Sequence, residues 1–235
     1  MGAAHGRDLI PERRVRVEAV AWLAAILPFA AANLAYLISA SAELVPWCLP
    51  YLEGCTSVSR AARSGAANPI FRGIMLPYAA LMAFYWWLAA EWLRGFAPGR
   101  PRLRRAVLAL GVLAALFQAL YTSFLGVEGE VYQWLRRYGI TVHFSGTVLA
   151  QFLLAAVLIG DPRLPHWLRR CTLVLCALML ALGLASIPLQ HFAENHDAAL
   201  NALEWSYSVL MLAFFPLTGE AWRRTGFAFR QGLGP

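Results

Sequence analysis

The stretch Arg104-Arg-Ala-Val-Leu-Ala-Leu-Gly-Val-Leu-Ala-Ala-Leu-Phe-Gln-Ala-Leu-Tyr-Thr-Ser-Phe-Leu125 decides the fold. After its two arginines it carries no charge through Leu125, and its polar side chains are few: Gln118, Tyr121, Thr122 and Ser123. A helix rises about 1.5 Å per residue, so about 20 such residues cross a hydrocarbon core of about 30 Å. Inside lipid the backbone must satisfy its own hydrogen bonds, which a helix does within one segment. Five further stretches read the same way, so the spans are expected at 20–40, 70–93, 106–125, 140–160, 171–190 and 201–219. The expectation is an all-α integral membrane bundle of six transmembrane helices, forming a single domain over 1–235.

Composition agrees. The chain is 60% hydrophobic, has a mean hydropathy of +0.55 and is only 14% charged, against roughly a quarter in soluble domains. A soluble protein this apolar could not cover its own surface, so the bilayer serves as solvent. The net charge of +7 reads as orientation signal and attraction to lipid head groups rather than affinity for nucleic acid. All 20 basic residues are Arg. With the N-terminus inside, Arg7, Arg13, Arg14, Arg16, Arg94, Arg100, Arg102, Arg104, Arg105, Arg163, Arg169, Arg170, Arg223, Arg224 and Arg230 fall on the cytoplasmic side. Arg60, Arg63, Arg72, Arg136 and Arg137 fall outside. Such a bias in short loops orients both termini to the cytoplasm. The first apolar run is longer than a signal peptide's 7–15 residues, so it is expected as an uncleaved span despite Ala40-Ser41-Ala42.

Soluble catalytic signatures are missing: there is no GxGxxG, Walker loop, GxSxG elbow or HExxH. With no Lys in the chain, a retinal Schiff base is excluded. Cys48 and Cys55 share the outer loop, expected at 41–69, where a disulfide or two thiols are both open readings. A loop of that length carries structure of its own or is disordered.

Polarity lies deep in the spans. Asp197, Asn201, Glu204 and Ser208 share one helical face, as do His143, Thr147 and Gln151. Gln118 with Thr122, and Tyr78 with Tyr85, offer two more. An ionisable group in the bilayer must face partners or water, so these faces are expected to meet in a polar interior open to the outer side. Glu204 is the foremost proton-transfer candidate; the plainer reading is a helix–helix clamp. His143, His191 and His196 near Glu194 and Asp197 could hold zinc, and His143 with His191 could clamp a haem. Neither has diagnostic spacing, and no metal or cofactor is expected. Arg60 and Arg63, beside the hydroxyls of Thr56, Ser57 and Ser59, suit a lipid phosphate; the alternative is a solvated loop whose arginines reach head groups.

Three motifs carry a likeness. They are Pro50-Tyr-Leu-Glu-Gly-Cys-Thr-Ser-Val-Ser59 with Asn68-Pro-Ile-Phe-Arg-Gly73; Gly126-Val-Glu-Gly129 with Val142-His-Phe-Ser-Gly146; and Asn201-Ala-Leu-Glu-Trp205. In this order the chain resembles the FRAG/DRAM/SFK family, which includes the amino-terminal region of CWH-type proteins and GPI-remodelling membrane proteins. The loop departs from the Ser-Asp-Thr-Gly-like wording of animal members, so the resemblance is to a divergent, bacterial relative. It implies a six-helix protein that handles membrane lipid, with His143 and Glu204 at matching positions and no agreed catalytic mechanism.

The functional expectation is a multi-pass inner-membrane protein that binds or remodels lipid from the outer leaflet. If it is an enzyme, it is a lipid acyl hydrolase or transferase. His143 and Glu204 would act as acid/base or anchoring groups; Gln151, His191 and Asn201 would line the cavity; Arg60 and Arg63 would hold an acidic head group. A small-solute or proton-coupled transporter and a non-catalytic scaffold are the alternatives.

Overall fold

The computed structural model describes residues 14–192 and 195–230. In chain order it contains β1 (Arg14–Arg16), α1 (Glu18–Ser41), α2 (Pro50–Glu53), α3 (Val58–Ala61), α4 (Ala67–Phe96), α5 (Pro101–Phe124), α6 (Glu130–Gly160), α7 (His166–Phe192), α8 (His196–Arg224) and β2 (Ala228–Arg230). Among the described residues six helices are long and apolar enough to cross a membrane. The chain is an all-α, multi-pass membrane protein. Several spans run past their apolar stretches: α6 begins at Glu130 and α8 at His196, where polar side chains leave the hydropathy window although the backbone stays helical.

The six long helices pack in chain order as a ring, α1 against α4, then α5, α6, α7 and α8, with α8 closing on α1. Antiparallel pairing of β1 with β2, Val15 opposite Phe229, brings both ends of the described chain to one face of the bundle. That face is the ribbon end; α2, α3 and the α5–α6 turn form the opposite, loop end. Small residues set the closest approach. On α6, a Cβ at Gly139 would stand 3.0 Å from the Tyr121 Cβ, and one at Gly146 would stand 3.1 Å from the Leu110 carbonyl oxygen of α5. Small-residue contacts of this kind let helix backbones close in lipid. By contrast, contact between ring neighbours is thinnest between α6 and α7, and α6 and α8 scarcely touch, which leaves a seam on that side of the ring.

Large apolar side chains cover the outside, notably Leu173, Val174, Leu178, Leu180, Leu184 and Ile187 on α7. In water that surface would be untenable; in lipid it is solvated. Inside the ring lie the polar residues singled out above, with Tyr78, Tyr85, Gln118, Thr122, His143, Thr147 and Gln151 all buried. Proline has its own solution. Pro28 in α1 cannot donate to the Ala24 carbonyl one turn back, and the Tyr78 hydroxyl donates to that carbonyl instead, at 3.2 Å.

Candidate functional site

The loop end is a built cap. A Cys48–Cys55 disulfide closes the segment around α2, with 6.4 Å between the Cα atoms. Of the two readings the sequence leaves open, the disulfide is the one found. The Tyr36 hydroxyl donates to the Cys48 carbonyl (2.7 Å) and accepts from the Cys48 N–H (2.8 Å), pinning the segment to α1. From α8, Asn201 Nδ2 donates to the Gly54 carbonyl at 2.9 Å and Trp205 Nε1 to the Thr56 carbonyl at 2.9 Å. Gly54 sits at φ +61°, and a Cβ there would fall 1.8 Å from the Ala198 carbonyl oxygen. Only glycine allows both that backbone turn and that approach.

The cap also grips the α5–α6 turn. Asn68 Nδ2 donates to the carbonyls of Ala62 (3.2 Å) and Leu125 (3.0 Å). Arg72 Nη2 donates to the Ser123 carbonyl at 2.9 Å. The Arg136 guanidinium closes the turn through the carbonyls of Phe124 and Val127.

Between the cap, the loop-end half of α6 and α8 opens a cleft of about 870 Å³ at the seam. Its polar wall comprises Ser59, Arg63, Gln133, Arg136, Arg137 and Glu204, and its apolar wall includes Tyr121, Ile140, Phe144 and Tyr207. Past Tyr121, Ile140, Phe144 and Glu204, which line both spaces, lies a smaller chamber of about 80 Å³ inside the ring. The chamber is chiefly apolar, with Phe29, Phe71, Met75 and Met211 among its walls and His143, Gln118 and Ser208 as polar points.

Glu204 therefore stands where the two spaces meet. Its side chain lies near the Val58 backbone N–H at the start of α3, and among the described residues no cation pairs with it. Arg63 and Arg137 are exposed, also without an ion-pair partner among the described residues. Three guanidinium groups against one carboxylate give the cleft a positive balance. A positive balance of this kind favours anions over cations.

The other residues singled out from sequence fall as follows. His143 is buried on the chamber wall, its Nδ1 3.1 Å from the Ala114 carbonyl. A carbonyl only accepts, so Nδ1 carries the proton and Nε2 is left as an acceptor. Gln151 lines neither space: its Nε2 donates to the Met211 carbonyl at 2.8 Å, next to the Leu212 carbonyl that Pro216 leaves without its helical donor. Asn201 is engaged with Gly54 as described. Arg60 is exposed on α3 and outside the cleft lining. The side chain of His191, and Glu194 as a whole, lie outside the described residues. His196 is exposed, 3.4 Å from Asp197. Among the described residues no three His, Cys, Asp or Glu side chains converge on a common point.

Sequence reasoning overlooked Arg136 and Arg137 as site residues, although a signal was present. Gln133, Arg137, Thr141 and Phe144 recur at helical spacing, so continuing the fourth span's period back to Glu130 places them on one face.

Ring, cap and cleft define a class: a six-span α-helical membrane protein with a capped cleft at one end. No family model, curated protein or solved structure matches the chain.

Proposed function

We propose that this protein binds an anionic membrane lipid in the cleft between α6 and α8, drawing it from the outer leaflet of the inner membrane. The observation that carries the reading is the adjacency of two unlike spaces. An arginine-rich cleft opens at the seam, and a chiefly apolar chamber lies behind the wall of Tyr121, Ile140, Phe144 and Glu204 that the two share. Lipid is the molecule with that division, a charged head joined to a hydrocarbon tail. Arg63 and Arg137 receive the head group, Arg136 holds the turn that carries the α6 wall, and the seam provides sideways entry from the bilayer.

Orientation belongs to the same proposal. The ribbon end bears the connections rich in Arg, at 94–105, 161–170 and 223–230, and is read as cytoplasmic by the positive-inside rule. The Cys48–Cys55 disulfide supports an extracytoplasmic loop end, because disulfides persist in oxidising compartments. The resemblance to the FRAG/DRAM/SFK family is retained as a proposal as well. A part of each quoted motif meets the others at the cap, with Asn201 and Trp205 bound to the 50–59 segment and Asn68 bound to the chain beside Gly126, while the 142–146 segment packs on α5.

The test is lipid retention. Full-length protein purified in a mild neutral detergent should carry co-purified anionic phospholipid detectable by mass spectrometry. Arg63→Ala/Arg137→Ala should lose most of it while keeping the wild-type melting temperature. Equal retention by that double variant would refute the reading.

A further inference from the structure

The two spaces differ about tenfold in size, and the smaller one is the hydrocarbon side. The cleft measures about 870 Å³ and the chamber about 80 Å³. A single water needs roughly 10–15 Å³, so the chamber holds about five to eight groups of that size, the leading part of one hydrocarbon chain. A lipid with two chains would have to part them, one entering the ring and the other lying in the seam.

The junction adds a second constraint. A carboxylate offers about four lone-pair sites, and at Glu204 the Val58 backbone N–H stands near one side of the group. Glu204 lines both spaces, so its remaining acceptor capacity faces the part of a ligand where head group passes into chain. Leaving a partly buried carboxylate unsatisfied is costly. A ligand that fits therefore brings a donor at that junction, and a charged head for Arg63 and Arg137.

Resting on the lipid-binding reading above, we infer that the site takes a single-chain lipid phosphate. Its phosphate lies between Arg63 and Arg137, a free hydroxyl beside the phosphoester donates to Glu204, and the leading part of its one chain enters among Phe29, Phe71, Met75 and Met211. Specificity comes from Glu204 and from the small volume of the chamber; the arginines supply attraction common to every phosphate.

The experiment measures binding of four probes to the full-length protein in neutral detergent, by native mass spectrometry. They are 1-palmitoyl-lysophosphatidic acid, dipalmitoyl phosphatidic acid, hexadecyl phosphate (which lacks the hydroxyl) and glycerol 3-phosphate (which lacks the chain). The lysolipid is expected to bind at least tenfold more tightly than the two-chain lipid, and glycerol 3-phosphate not to bind measurably. Glu204→Gln, which keeps the side chain's size and one acceptor oxygen, should weaken the lysolipid about fivefold or more and leave hexadecyl phosphate unchanged. Equal affinity for one and two chains, or an equal effect of Glu204→Gln on both single-chain probes, overturns this inference and leaves the lipid-binding reading standing. Glycerol 3-phosphate binding as tightly as the lysolipid overturns it in favour of a soluble phosphate ester. If Arg63→Ala/Arg137→Ala changes the binding of none of the probes, both readings fall together.

Discussion

Asn201 on α8 reaches across the loop end and donates its side-chain N–H to the Gly54 carbonyl at 2.9 Å. That bond joins two segments 147 residues apart and seats α2 on the last helix. Gly54 accepts it only because its backbone is left-handed and its missing Cβ makes room for Ala198. The two residues fasten the same joint, but unequally. Asn201→Ala removes one hydrogen bond, worth about 1 kcal/mol. Gly54→Ala introduces a left-handed alanine, about 1–3 kcal/mol by itself, together with an overlap that forces α2 off α8. Thermal unfolding in detergent should rank Gly54→Ala well below Asn201→Ala. Comparable melting temperatures for the two would show that the cap is not seated through this contact.

The disulfide gives a chemical count. Cys48 and Cys55 are bonded, whereas Cys171 and Cys176 are free. Denatured, unreduced protein should take up two maleimide labels, and reduced protein four. A loop closed over a sequence separation of 7 is worth about 2–3 kcal/mol in the chain-entropy account. Cys48→Ser/Cys55→Ser should therefore fold but melt earlier, with proteolytic cuts appearing first between residues 42 and 57.

The Pro28–Tyr78 pair makes a double-mutant test of the interior. Tyr78→Phe strands the Ala24 carbonyl and should cost about 1 kcal/mol, the usual scale for a hydrogen bond between membrane helices. In a Pro28→Ala background the restored N–H at position 28 can satisfy Ala24 from within α1, so the same substitution should cost clearly less. Additive losses would mean that the Tyr78 hydroxyl does not replace the bond proline removes.

How much of this was legible beforehand depends on the kind of signal. Six spans follow from apolar length, which needs no knowledge of neighbours. The 130–139 segment was missed as helix because Glu130, Arg136 and Arg137 interrupt hydropathy while leaving helical periodicity intact. Polar residues on the inner faces of the spans were legible as buried, since lipid excludes them. Their division of labour was not. Asn201, Gln151 and Glu204 look alike as polar groups in an apolar run. Only tertiary placement separates Asn201, spent on Gly54, and Gln151, beside the Pro216 bend, from Glu204 at the cleft. Arg60 and Arg63 stand three apart on one short turn, yet only Arg63 lines the cleft, a distinction set by how α3 docks.

Orientation is open to a simple check. A fluorescent protein that matures only in the cytoplasm, fused after Pro235, should fluoresce. After reduction, Cys48 and Cys55 should label with a membrane-impermeant maleimide added to the outside of spheroplasts. A dark fusion together with labelling only in inverted vesicles would reverse the topology and, with it, the leaflet from which lipid is drawn.

The most direct test of the central claim is to map where lipid touches the protein. A photoactivatable phosphatidic acid, with a diazirine on its acyl chain, is incorporated with the full-length protein into nanodiscs, and crosslinked peptides are identified by mass spectrometry. The account predicts crosslinks concentrated in 133–144 and 203–212, the two walls of the cleft, falling at least fivefold in Arg63→Ala/Arg137→Ala. Crosslinks spread over the exposed face of α7 around Leu173–Ile187, at a level the double variant does not change, would contradict it.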